Sequence, residues 1–81
     1  PERAESWNNL AGVLWRQGRL DEAGEAYRRG LASDAQLAAL ATNYALWCEA
    51  TGSLGEAARW HARALEIDAE AWSSALALAW I

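Results

Sequence analysis

The chain has 81 residues, enough for one small domain, and 53% of them are apolar, too many for a disordered segment. Seven basic residues, all arginine, stand against 11 acidic ones for a net charge of −4, so neither nucleic acid nor an anionic membrane surface is an expected partner. Alanine occupies 20 positions, proline occurs only at Pro1 and β-branched residues are few, a composition that favours helix and excludes a sheet protein.

Taken in chain order, Trp7, Leu10, Ala11 and Leu14 fall at i, i+3, i+4 and i+7 and predict a first helix with one apolar stripe. Gln17-Gly18-Arg19 ends it, with Gly18 suited to the left-handed position after a helix. Leu20, Ala23, Ala26, Tyr27, Gly30 and Leu31 form the stripe of a second helix, and Asp21 and Glu22 occupy its first turn, where the helix dipole favours anions. Together with Leu10 and Leu14, Tyr27 and Leu31 are the expected core of this first hairpin. Ser33-Asp34-Ala35-Gln36 reads as a capping box opening a third helix from about Gln36 to Ala50. A turn at Thr51-Gly52-Ser53 leads to a fourth helix from about Leu54 to Ile67, and Asp68 is the expected cap of a fifth helix running to the terminus.

The helices repeat. Sliding the sequence against itself by 34 residues aligns Ala4 with Ala38, Asn9 with Asn43, Gly18 with Gly52, Leu20 with Leu54, Ala23 with Ala57 and Leu31 with Leu65, among 11 identities in one overlap. The offset continues from Leu10 to Tyr44 to Leu78 and from Ala11 to Ala45 to Ala79. Two full repeats (4–37 and 38–71) and the start of a third (72–81) are therefore expected, in a solenoid where each unit buries its face against its neighbours.

These residues carry a resemblance to the tetratricopeptide repeat family, whose signature runs W-x2-L-G-x2-Y, then A-x3-F, then A and P. The first unit supplies Trp7-x2-Leu10-Ala11-x2-Leu14, Gly18, Leu20, Ala23-x3-Tyr27 and Leu31. The second supplies Ala41-x2-Tyr44-Ala45-x2-Cys48, Gly52, Leu54, Ala57-x3-His61, Ala64 and Leu65. Ala35 and Ala69 stand where the family has proline, and Ala11 and Ala45 where it has a small glycine.

The resemblance implies an all-α, right-handed superhelical solenoid of antiparallel helix-turn-helix repeats, here with five helices. It also implies a non-enzymatic module that binds a protein or peptide in a concave groove lined by the first helix of each unit. The residues left for that groove are Glu5, Asn8, Asn9, Gly12, Trp15 and Arg16, then Ala39, Thr42, Asn43, Leu46, Glu49 and Ala50, then Ser73, Leu76, Ala77 and Trp80. Many members of the family grip the acidic C-terminus of a chaperone with a clamp of lysines, asparagines and arginine. The matching positions here are Asn8, Gly12, Asn43, Ser73 and Ala77, so every cation of that clamp is missing.

Of the tryptophans, Trp7 is expected in the core, Trp60 over a seam, Trp47 between groove and interior, and Trp15 and Trp80 on the groove side. Cys48 and His61 are the only pair with reactive chemistry, and both sit on core stripes. A Cys–His nucleophile needs an orienting group and an oxyanion site, and structural zinc needs four ligands, so both residues are read as structural and no cofactor or metal is expected. Paired carboxylates, a Gly-rich phosphate loop and a nucleophile elbow are all missing from the sequence, which argues against an enzyme.

One cysteine cannot form an intramolecular disulfide, which makes a reducing, cytoplasmic setting the default. The longest uncharged run, Ala35 to Cys48, has 14 residues where a membrane span needs about 20, so no membrane segment is expected. With no methionine, a chain opening at Pro1 is read as processed or as part of a longer repeat protein. The competing functional reading is a self-associating structural unit, natural or engineered. Residues 71–81 carry no charge, and Trp72, Leu76, Trp80 and Ile81 are expected to pair with another copy as a homo-oligomer.

Overall fold

The computed structural model describes residues 3–34 and 36–68, and within them four helices form two antiparallel hairpins: α1 (Ala4–Arg16), α2 (Leu20–Ser33), α3 (Ala38–Ala50) and α4 (Leu54–Ile67). Both bounds of α3 are those of α1 advanced by 34 residues, and α4 stands in the same relation to α2. The expected fifth helix, with Ala69 and the tryptophans at 72 and 80, lies outside the described residues, as does Ala35.

The hairpin turns follow from glycine. Gly18 (φ 79°) and Gly52 (φ 87°) adopt the left-handed conformation that side chains with a Cβ resist. In each turn the glycine N–H bonds back three residues, to Trp15 and Glu49, while the N–H of the following residue reaches Leu14 and Cys48 at 2.9 and 2.8 Å. That pair of bonds is the Schellman closure, which satisfies carbonyls the helix end would otherwise leave open.

The third helix starts later than the capping-box reading placed it. Asp34 Oδ1 accepts the Gln36 N–H at 2.9 Å, an Asx turn that holds the backbone out of helix, and Leu37 (φ −85°, ψ 101°) is the residue that precedes Ala38. Asp34 and Asp68 follow the last residues of α2 and α4, each donating its N–H to a carbonyl four residues back at 2.9 Å.

Within a hairpin, small residues bring the helices close: Ala11, Ala23, Ala41, Ala45, Ala57 and Ala64 are fully buried. Leu14, Tyr27 and Leu31 fill the first core, and Leu40, Tyr44, Cys48 and His61 the second. Leu10 does not belong with them. It is 36% exposed, because among the described residues no helix lies in front of its side of α1. Trp7 is half-buried against the core with the Arg29 guanidinium 5.5 Å from its ring centre.

The two hairpins meet through α3, which packs against α4 and also touches α2 and α1. A helix flanked on both sides needs apolar residues on both sides, which accounts for the uncharged run around it. Trp47 makes the joint: its ring lies on α2, stacked on Tyr44 (5.8 Å, 14°), and its Nε1 donates to the Leu20 carbonyl at 3.0 Å. The space it occupies exists only because residue 24 is glycine; a Cβ there would lie 2.4 Å from Trp47 Cζ2. Trp47 is thus interior, and Trp60 covers the α2–α4 seam with its ring edge-on to Tyr44 at 5.7 Å.

Candidate partner-binding face

The groove residues expected from the sequence sit on α1 and α3. Glu5, Asn9 and Arg16 are exposed on α1, while Asn8, Gly12 and Trp15 are half-buried. On α3, Ala39, Leu46 and Ala50 are exposed, and Thr42, Asn43 and Glu49 are half-buried. Ser73, Leu76, Ala77 and Trp80, together with the self-association residues Trp72 and Ile81, lie outside the described residues.

One bond ties the two helices across this face. Asn43 Nδ2 donates to Asn8 Oδ1 at 3.0 Å, so amides from successive units meet side by side. Gly12 and Leu46 share a repeat register but differ in relief. A Cβ at Gly12 would meet nothing within 4 Å, whereas Leu46 projects as an exposed apolar side chain.

A second pair in shared register carries different chemistry in each unit. In the first, the Trp15 ring stands edge-on to Tyr27 at 6.3 Å and 89°. In the second, the corresponding residues are Glu49 and His61, and His61 Nε2 lies 2.7 Å from Glu49 Oε2. His61 is fully buried while Glu49 is 29% exposed, so a core histidine holds a carboxylate that reaches the surface. The sequence placed Glu49 in the groove and His61 in the core but did not join them; the 34-residue register linking them to Trp15 and Tyr27 is the signal that does.

On the opposite side, a shallow cleft between α2 and α4 is lined by Arg28, Leu31, Tyr44, Glu56 and Trp60. Burial raises the Tyr44 phenol above its ordinary value, and the hydrogen bond donated by Arg28 to its oxygen partly opposes the shift. Burial likewise raises the Cys48 thiol, keeping it protonated and unreactive. On the outer surface Glu25 bonds Arg29 at 3.1 Å, which lowers its carboxyl, and Arg19 bonds Glu22 at 3.0 Å. Among the described residues, no group of three His, Cys, Asp or Glu is placed to hold a metal ion, and no helix is long and apolar enough to cross a membrane.

Stacked antiparallel hairpins at a fixed pitch define a helical-repeat protein. A family model described as tetratricopeptide repeat matches residues 2–70. The chain therefore belongs to the tetratricopeptide repeat family, whose repeats generally mediate protein–protein interaction and are typically non-enzymatic. Among curated proteins, none matches the chain.

Proposed function

We propose that the chain is a segment of a right-handed repeat array, with units at 4–37, 38–71 and 72–81, that binds an extended peptide or partner helix along α1 and α3. The observation that carries this reading is the relief at one register: open space at Gly12 beside Trp15, then the exposed Leu46 one repeat on. An apolar side chain of a ligand fits between them, and the Asn8–Asn43 pair supplies amides beside it. The module does no chemistry and works in a reducing, cytoplasmic setting.

The test is selection of peptides from a displayed random library against the folded chain, followed by affinity measurements on variants. Gly12→Trp fills the open space at a helical position and should weaken the selected peptides by about tenfold or more, as should Leu46→Glu. Binding that survives both substitutions would remove this face from the function.

A second reading is favoured by the uncharged stretch 71–81: self-association through Trp72, Leu76, Trp80 and Ile81. It predicts a concentration-dependent mass in light scattering that Trp80→Glu with Ile81→Glu abolishes without loss of helicity. A mass that stays monomeric at high micromolar concentration would discard it.

A further inference from the structure

The face made by α1 and α3 changes chemistry from one unit to the next. At one register the first unit sets the Trp15 ring edge-on to Tyr27 at 6.3 Å, an aromatic pair. One repeat on, the same two positions hold Glu49 and His61, whose Oε2 and Nε2 lie 2.7 Å apart. An ionised carboxylate only accepts, so Nε2 is the donor. The donating ring is fully buried, whereas the Glu49 side chain is 29% exposed.

Glu49 is the only charged residue of α3, and it shares a side of that helix with Thr42 and Leu46. Among the described residues no arginine pairs with it: Arg19, Arg28, Arg29 and Arg63 are held by Glu22, Glu25 and Glu66. The other charges expected on this face, Glu5 and Arg16 of α1, are exposed and opposite in sign. One Glu49 oxygen is thus committed to a core histidine, while Oε1 keeps its accepting capacity. A ligand cation would meet an acceptor already ordered, so less freedom is lost on binding. Salt screens such a partly buried charge less than a fully exposed one.

Resting on the peptide-binding reading above, we propose that Glu49, positioned by His61, selects a lysine or arginine side chain in an extended peptide. The peptide's apolar residue sits between Gly12 and Leu46, and its basic residue makes a charge-assisted hydrogen bond to the Glu49 carboxylate. Neighbouring helices lie about 8–10 Å apart and an extended chain advances about 3.3 Å per residue, so the two ligand residues are about three positions apart. His61 touches no ligand; it acts through the carboxylate it holds. A histidine that served the fold alone would leave the choice of peptide unaffected.

The probe is a displayed random-peptide library selected in parallel against the full chain and its Glu49→Gln and Glu49→Lys variants. The parent pool should be enriched in lysine or arginine at that spacing from an apolar residue. Glu49→Gln should lose the enrichment, and Glu49→Lys should replace it with aspartate or glutamate. In calorimetry, changing the basic residue of a parent-selected peptide to glutamine should weaken binding about tenfold on the parent chain and less than about twofold on Glu49→Gln. His61→Tyr, the residue of the first unit, should weaken the basic peptide about fivefold and leave its glutamine version within about twofold, with helicity checked by circular dichroism. A parent pool without basic residues, or an enrichment that Glu49→Gln leaves unchanged, would overturn this selectivity. If those peptides still depend on Gly12 and Leu46, the groove reading survives it. An empty pool, or one indifferent to Gly12→Trp and Leu46→Glu, would overturn both.

Discussion

Adding the same methyl group at two helical glycines should move stability in opposite directions. Gly12 and Gly24 both lie inside helices, where alanine is favoured over glycine by about 0.8–1 kcal/mol. At Gly12 nothing opposes that gain, since a Cβ there meets no atom within 4 Å. At Gly24 the Cβ would lie 2.4 and 2.5 Å from two atoms of the Trp47 ring, and the ring is held by the Nε1 bond to the Leu20 carbonyl at 3.0 Å. Relieving that overlap costs about 1–3 kcal/mol, and loosening the indole hydrogen bond about 0.5–1.5 more, so Gly24→Ala should be destabilising by about 2 kcal/mol net. In a domain of this size 1 kcal/mol moves the melting temperature by roughly 4–8 °C, so the two variants should melt on opposite sides of the parent. Urea denaturation followed by far-UV circular dichroism gives the same comparison as free energies. In a Trp47→Ala background the penalty at Gly24 should disappear and the substitution become stabilising, the coupling expected of two residues in contact. A Gly24→Ala chain as stable as Gly12→Ala in the parent background would refute the proposed joint between the hairpins.

Three further outcomes follow. Leu31→Ala, in the buried core, should cost about 2–5 kcal/mol, whereas Leu10→Ala at its half-open site should cost less than half as much; equal losses in urea denaturation would contradict the burial difference. Burial raises the thiol of Cys48 and the phenols of Tyr27 and Tyr44 above their ordinary values of 9.0 and 10.0, so the unfolded chain gives up these protons first as pH climbs. The stability these three groups contribute is then present below their ordinary values and is lost as pH rises through them, with Cys48→Ala removing the first part of the decline; a flat denaturation midpoint above pH 9.0 would contradict this. Acidic C-terminal chaperone peptides should not bind detectably, since the clamp positions hold no cation and Asn43 already donates to Asn8; micromolar affinity in calorimetry would overturn that expectation.

The repeat and its helices were legible because each is written twice. Gly18 and Gly52 announce the turns by a conformation other residues resist, and the apolar stripes place Leu14, Tyr27 and Leu31 inside. What failed did so where a residue's environment depends on its neighbour in the array. Leu10 has the spacing of a core residue, yet periodicity states only which side of a helix is apolar and not whether anything covers it. The Ser33–Gln36 segment has the letters of a capping box, but Asp34 closes a local turn with Gln36 and delays α3. Of the groove residues, the spacing gave the helix face; it did not give the Asn8–Asn43 bond or the carboxylate of Glu49 held by His61. Those contacts join residues 35 and 12 positions apart, and only packing brings them together.

The central claim is that partners dock on the side made by α1 and α3. The direct measurement is an NMR shift map of the labelled full chain with a peptide selected against it. The account predicts perturbations along Asn8, Gly12, Trp15, Thr42, Asn43 and Leu46, and silence at Arg28, Glu56 and Trp60 on the α2–α4 side. Perturbations confined to that α2–α4 side would contradict it.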